Sequence, residues 1–279
     1  MKTVLSIAGS DSSGGAGIQA DLKTMTALGV YGMTAITALT AQNTTGVFEI
    51  IESTPEFLDR QIDVCLSDIS ADAIKIGMLP LAGQVEVVAK NIRKYDIKNV
   101  VLDPVMVATS GSALSKNETV EKMTEVLFPL ARVITPNIPE AEKLSGGEIL
   151  NKADMEQAAK ELGDKYDCAV LIKGGHAVED ASDVLYDQGK ITWFEGSKID
   201  NPNTHGTGCT LSSAIASHLA LGYELTEAIT KSKYYLTKAI GAGLDLGEGH
   251  GPLNHMVELT TTKTVKATEN NNKEVRRII

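Results

Sequence analysis

The chain has 279 residues, 43% of them apolar and 22% charged, enough to bury a substantial core in one large α/β domain or two smaller ones. Its formal net charge of −10, with no basic stripe interleaved with aromatics, argues against nucleic acid as a partner. Cys65, Cys168 and Cys209 are odd in number and far apart, so they suggest neither a disulfide framework nor a zinc knuckle and suit a reducing cytoplasm.

The run Thr3 to Ala8 reads as a first strand; it is too brief for a signal-peptide core, and no export is expected. Gly9-Ser-Asp-Ser-Ser-Gly-Gly-Ala-Gly17 then joins it to a helix whose apolar stripe is Ile18, Leu22, Met25 and Leu28. Glycines at such a junction let backbone N–H groups approach polar or anionic atoms. Two phosphate-loop patterns fail here: Gly14 is followed by Gly15 where a Walker A loop needs Lys, and Ala20 stands where a dinucleotide fingerprint needs glycine. Asp21, one turn into the helix, reads either as a surface residue favoured by the macrodipole or as a group reaching over a ligand.

Residues 29–48 carry no charge but are rich in Thr, Gly, Gln and Asn, a poor membrane span and better read as buried backbone near a polar site. A second strand covers Tyr31 to Ala38, followed by Thr40-Ala-Gln-Asn-Thr-Thr-Gly46, read as a loop. The amides Gln42 and Asn43 can donate and accept together, which suits a heteroaromatic edge, although loops are rich in such residues anyway.

Further strands are expected at Ala73 to Ile76, Asn99 to Leu102, Arg132 to Ile134 and Ala169 to Ile172, and helices at Glu56 to Ile69, Leu81 to Arg93, Asn117 to Leu127 and Lys152 to Leu162. That alternation specifies a largely parallel sheet covered on both faces by helices. Polar residues recur at the strand ends: Asp103, Asn137 with Glu140, and Lys173 ahead of Gly174-Gly-His176. This is where open α/β sheets bind ligands. An amide and a carboxylate three apart at a helix start can orient hydrated Mg²⁺, and Lys173 can meet a phosphate as a point charge. Each alone is equally readable as a cap or an ion pair. Met78 offers an adaptable apolar surface, or plain core.

Between Ser182 and Asp200 the pattern becomes a hairpin around Asp187-Gln-Gly189, so the sheet should be mixed at one edge. Two helices close the body, Thr207 to Leu221 and Leu225 to Ala242. The first opens on Thr204-His-Gly-Thr-Gly-Cys209, where Gly206, Thr207 and Gly208 would present free N–H groups as an anion hole. The same field should lower the pKa of Cys209 and favour a thiolate base or nucleophile; the alternative is a small apolar side chain at a helix end. Segments near Gly111 and from Asp200 to His205 are expected to close over the site. Residues 1–256 read as one domain. Residues 257–279 lose apolar periodicity and, with five basic residues against three acidic from Glu258 onward, read as a mobile tail.

Taken together, Ala8 to Lys23, Ala41-Gln-Asn-Thr44, Lys75-Ile-Gly-Met-Leu79, Thr135-Pro-Asn137, Lys173-Gly-Gly-His176 and Thr204 to Thr210 resemble the ribokinase-like superfamily. Within it they are most similar to the hydroxymethylpyrimidine/phosphomethylpyrimidine kinases of thiamine biosynthesis, over Thr3 to about His255. The resemblance implies a three-layer α/β/α domain with a central, mostly parallel sheet, ATP and Mg²⁺ as co-substrates, a small pyrimidine as acceptor, no membrane partner and a homodimer. Gln42 would hold the pyrimidine edge, with Gly9, Asp21, Thr40 and Met78 around the ring. Asn137, Glu140, Lys173, Thr204 and Thr207 would serve the nucleotide, Glu140 and Asp103 the metal, and Gly206 and Gly208 the anion hole. Cys209 would take the hydroxyl proton where most superfamily sugar kinases use Asp. Cysteine-containing bacterial pyridoxal kinases share the Gly-rich loop and this cysteine, and give the alternative reading, a pyridoxine or pyridoxal kinase.

Overall fold

The computed structural model describes residues 1–106, 116–175, 181–196, 199–258, 264–268 and 274–278. Gly111 and His176, named above, lie outside them, as do parts of the tail.

Strands β1 (Thr3–Asp11), β2 (Tyr31–Asn43), β3 (Gly46–Glu52), β4 (Ala73–Ile76), β5 (Val100–Leu102), β6 (Val133–Ile134), β7 (Ala169–Ile172), β8 (Asp183–Asp187) and β9 (Lys190–Phe194) form one sheet in the order 3-2-1-4-5-6-7-8-9. Strands β2, β1, β4, β5, β6 and β7 run parallel. The hairpin β8–β9 is antiparallel as expected, with Gln188 and Gly189 at positive φ in its turn. The opposite edge is antiparallel too, because β2 continues through Asn43 and turns back as β3. The segment from Thr40 to Asn43 is therefore strand rather than loop, and the sheet is mixed at both edges rather than one.

Alternation along the strands sorts side chains into two apolar layers. Leu5, Ile7, Ile74, Ile76, Leu102, Ile134, Val170 and Ile172 face helices α2 (Pro55–Asp68), α3 (Ala82–Lys94), α4 (Asn117–Val126), α5 (Ile138–Ser145) and α6 (Lys152–Tyr166). Val4, Ala73, Val101, Val133, Ala169 and Leu171 face α1 (Gly17–Ala27), α7 (Thr207–Ala220) and α8 (Leu225–Gly241). Each fully buried Leu or Ile contributes about 1.5–3 kcal/mol by leaving water.

This parity positions the site. Two residues beyond Ala73, Val101, Val133 and Leu171 stand Lys75, Asp103, Thr135 and Lys173, all on the face that α7 covers. Outside the main sheet, β10 (Thr264–Thr268) and β11 (Glu274–Ile278) pair antiparallel with each other. Among the described residues no helix is long and apolar enough to cross a membrane.

Candidate active site

At the carboxyl ends of the parallel strands a cleft of about 980 Å³ opens between the β1–α1 loop, the β2–β3 edge and the first turn of α7. Its walls include Gly9, Thr40, Gln42, Met78, Asp103, Asn137, Glu140, Lys173, Thr204, Thr207, Gly208 and Cys209, so almost every residue singled out in the sequence faces one space.

The Gly-rich loop is organised by Asp11. One carboxylate oxygen accepts the Ser13 N–H and hydroxyl at 2.9 and 2.8 Å, the other the Gly15 and Ala16 N–H groups at 3.1 and 2.8 Å. His205 Nε2 lies 2.8 Å from that second oxygen. Burial alone would raise the Asp11 pKa, but the hydrogen bonds from His205, Ser13 and Ala16 hold it below the ordinary carboxylate value. The loop then passes under α7: Gly206, at φ +83°, approaches so closely that a Cβ there would stand 1.9 Å from the Gly15 carbonyl oxygen.

Gln42 sits on the opposite wall. The Ser12 hydroxyl donates to its carbonyl at 2.7 Å and accepts its N–H at 2.9 Å, and the Thr40 hydroxyl stands 3.0 Å from Oε1. Met78 borders the same end, with its sulfur 3.1 Å from where a Gly9 Cβ would be. A larger residue at position 9 would displace that sulfur.

At the floor, Lys173 Nζ donates to Asp103 Oδ1 at 2.8 Å, and the Thr135 hydroxyl reaches the same oxygen at 3.1 Å. Gly208 lies over this pair; a Cβ there would be 3.2 Å from Asp103 Oδ2 and 3.4 Å from Lys173 Nζ. Burial would lower the Lys173 pKa, yet Asp103 and Glu140 hold it above its usual value. The first-turn Thr207 N–H reaches back to the Thr204 carbonyl at 3.3 Å, and Gly208, in the same turn, lines the cleft. Helix N-terminus and ammonium together favour an anion.

Asn137 and Glu140 do meet, but as a capping box on α5: the Asn137 side chain accepts the Glu140 N–H at 2.9 Å and Glu140 Oε2 accepts the Asn137 N–H at 2.8 Å. Burial pushes the Glu140 pKa up to about 7, Lys173 opposing and Asp103 adding to the rise. Among the described residues no three His, Cys, Asp or Glu side chains gather as a metal cage. Two carboxylates, Asp103 and Glu140, in a polar cleft still fit Mg²⁺, which keeps waters and takes most other oxygens from phosphates.

Two expectations change. Asp21 is not on the surface: it is fully buried, bonded to Lys75 Nζ at 2.9 Å, to the Ser6 hydroxyl at 2.5 Å and to the Ser213 hydroxyl. The Cys209 thiol is not acidified. Burial raises its pKa; Lys75 and the Gly17 N–H pull it down while Asp21 and Asp103 add to the rise, and the balance stays above the ordinary value. The resting side chain is a thiol.

Residues overlooked in the sequence are Lys75, Asp11, His205 and, farther along the cleft, Asp183 with Lys233, whose ammonium is 2.6 Å from Asp183 Oδ2. Lys75 carries the one clear signal, a charged residue inside a four-residue apolar strand.

A mostly parallel three-layer sheet with an anion-directed helix start at the carboxyl ends of its strands is the ribokinase-like class of small-molecule kinase. The model of the phosphomethylpyrimidine kinase family matches residues 11–254. The chain is 49% identical over 256 residues to the thiamine biosynthesis bifunctional protein ThiED of Geobacter sulfurreducens, covering 91% of this chain but only 52% of that protein. It is 46% identical to the hydroxymethylpyrimidine/phosphomethylpyrimidine kinase of Rhizobium meliloti, covering 90% and 96%. Among solved structures, a phosphomethylpyrimidine kinase from Clostridium difficile superposes with a TM-score of 0.78 at 46% identity, covering 86% of this chain and all of that one. An ADP complex of Bacillus subtilis pyridoxal kinase reaches 0.87 at 41%, covering 94% and 100%. The chain belongs to the phosphomethylpyrimidine kinase family.

Proposed function

We propose that the protein transfers the γ-phosphoryl group of ATP to the hydroxymethyl of 4-amino-5-hydroxymethyl-2-methylpyrimidine, and then phosphorylates that monophosphate to the diphosphate for thiamine biosynthesis. The observation that carries the reading is the sharing of one cleft by an amide suited to a heteroaromatic edge, Gln42, and an anion-directed floor, Lys173 with the Gly208 N–H. The family match supports the same substrate class.

In this reading Gln42, Thr40, Met78 and Gly9 hold the ring, and the acceptor oxygen lies toward the first turn of α7. The nucleotide runs from Lys173, Asn137, Thr204 and Thr207 toward the Asp183–Lys233 end. Lys173 and the backbone of Gly206 and Gly208 neutralise charge on the transferring group, and most of the rate comes from positioning and electrostatics. Asp103 and Glu140 would hold Mg²⁺, which offsets phosphate charge when bound. Cys209 accepts the hydroxyl proton. Burial keeps its thiol protonated at rest, so the acceptor is the thiolate formed as pH rises. Exposed apolar residues at the β2–β3 edge, among them Leu39 opposite Ile51, support a homodimer. The enzyme would work in the cytoplasm.

A pyridoxine or pyridoxal kinase is the second reading, favoured by the likeness to the pyridoxal kinase structure. One competition assay decides: ATP with the pyrimidine alcohol, its monophosphate, pyridoxine and pyridoxal at equal concentration. Preferential consumption of the two pyrimidines supports the proposal, and preferential consumption of the vitamin B6 alcohols replaces it.

A further inference from the structure

The proposed reaction uses one cleft for two acceptors that differ in charge, and the first turn of α7 is where that difference is felt. Cys209 stands in that turn and lines the cleft. Its sulfur is faced by the Lys75 ammonium from β4, by the Gly17 N–H at the start of α1, by the Asp21 carboxylate of α1 and by the Asp103 carboxylate after β5, and Lys173 after β7 feels its charge as well. Both carboxylates are held in ion pairs: Asp21 by Lys75 at 2.9 Å, with neither side chain exposed, and Asp103 by Lys173 at 2.8 Å. Around the sulfur, two ammonium groups thus stand against two carboxylates, and the charge carried at position 209 decides the balance. A thiol is uncharged at neutral pH, where an ordinary carboxylate is charged. Burial strengthens that difference by holding the Cys209 proton on.

We infer that the uncharged thiol at position 209 lets one cleft serve both an alcohol and a phosphate monoester as acceptor, by taking a proton from the first and sparing the second a like-charged neighbour. This rests on the two-step reading above and assigns the range of acceptors to one residue. In the first step the hydroxymethyl oxygen bonds to the γ-phosphorus of ATP, the bond from that phosphorus to the β–γ bridging oxygen breaks, and ADP leaves with the electron pair. The hydroxyl proton passes to the Cys209 thiolate, whose own proton has gone to solvent. An alcohol holds its proton far above neutral pH, so this step needs the base. In the second step the attacking atom is an oxygen of the monophosphate. A phosphate monoester loses its second proton near pH ~6, so the same bonds form and break with no proton to move. The incoming dianion instead needs an anion-directed floor with no negative charge added to it. A thiol leaves that floor as it is, whereas a carboxylate in the same turn would repel the phosphate.

The test measures kcat/KM for the pyrimidine alcohol and for its monophosphate, each supplied separately with ATP, in the wild type, in Cys209→Ala, in Cys209→Asp and in Cys209→Asn. The readout is the monophosphate value divided by the alcohol value. Ala removes the proton acceptor, so the ratio should rise at least about tenfold over the wild type. Asp offers a base that is charged, so the ratio should fall at least about tenfold, and Asn, with the shape of Asp but no charge, should not share that fall. A cysteine of merely structural importance would lower both activities together, so an unchanged ratio in Cys209→Ala overturns the inference. An unchanged or raised ratio in Cys209→Asp, or an equal fall in the Asp and Asn variants, overturns it as well, because charge at position 209 would then not select the acceptor. Should the Asp variant not fold, the ratio in Cys209→Ala still decides. The wild type alone checks the underlying reading: if it phosphorylates neither pyrimidine, or the alcohol only, the two-step function falls before any variant is compared, and the role given to Cys209 falls with it.

Discussion

Lys75 Nζ lies 2.9 Å from Asp21 Oδ2, and neither side chain is exposed to water. The pair sits between the sheet and the α1–α7 layer, where the Ser6 hydroxyl donates to the same carboxylate oxygen and the Ser213 hydroxyl to the other. Burial alone would lower the Lys75 pKa, but Asp21 holds it above its ordinary value, so the ion pair persists through neutral pH. Removing one partner strands a charge in a dry layer. Lys75→Met should cost about 3–5 kcal/mol, and Lys75→Met combined with Asp21→Asn should recover a good part of it. Urea unfolding of the three variants checks this; additive losses would show that the two residues do not act as a pair.

Gly206 is the tightest point of the site. Alanine there faces both a left-handed backbone and the Gly15 carbonyl oxygen 1.9 Å from its Cβ. Strain of this kind costs about 1–3 kcal/mol before the clash is counted. Gly206→Ala should lower the melting temperature clearly, whereas Gly146→Ala, at φ +79° with open space around it, should lower it less.

Glu140 titrates from about 7 in the fold against 4.5 in an ordinary peptide. Between those values the folded state binds more protons than the unfolded chain, so this group contributes stability that is full below pH 4.5 and lost as pH rises through about 7. In Glu140→Gln, which can still accept the Asn137 N–H, melting temperature should depend less on pH across that window. The comparison is made without Mg²⁺; identical slopes in both proteins would show that Glu140 ionises as an exposed carboxylate.

For Cys209, the raised thiol pKa predicts slow alkylation at pH 7 that accelerates with pH, read site by site by mass spectrometry. Cys209→Ala should keep the fold and cut kcat by roughly 10² or more, and should abolish any rise of kcat on the alkaline side. A near-normal rate with an unchanged profile would remove the proton-acceptor role.

Gln42→Ala should raise KM for the pyrimidine more than KM for ATP, because its amide faces only the ring end of the cleft. Steady-state kinetics with each substrate varied in turn checks this, and equal effects on both would refute the assignment.

Much of this arrangement was legible in the sequence. The strands β5 to β7 are short apolar runs ended by Asp103, Thr135 and Lys173, and period-two parity alone places those three on one face. Gln42 was read correctly as a cleft residue but on a loop, because Thr40 to Gly46 has turn-like composition; pairing with β3 overrides it. Strand β3 itself was missed, since Phe48 and Ile51 are exposed and leave no clean alternation. Asp21 was misplaced for a different reason. A carboxylate in the first turns of a helix normally belongs to solvent, and its partner Lys75 is 54 residues away, where no local pattern can announce it. The thiol of Cys209 was expected to feel the helix terminus most, but burial outweighs it.

The contact between Asp11 and His205 joins residues 194 positions apart. During synthesis the first strands and the Asp21–Lys75 pair can assemble early, whereas the ceiling of the cleft must wait roughly 7–30 s longer for α7 to be made, at ~5–20 residues per second. Through that interval the Gly-rich loop has no latch and the polar face of the sheet lacks its cover. Nascent chains stalled before residue 205 should thus carry a near-complete sheet but bind neither substrate, which makes the arrival of α7 the step at which a folding chain becomes an enzyme.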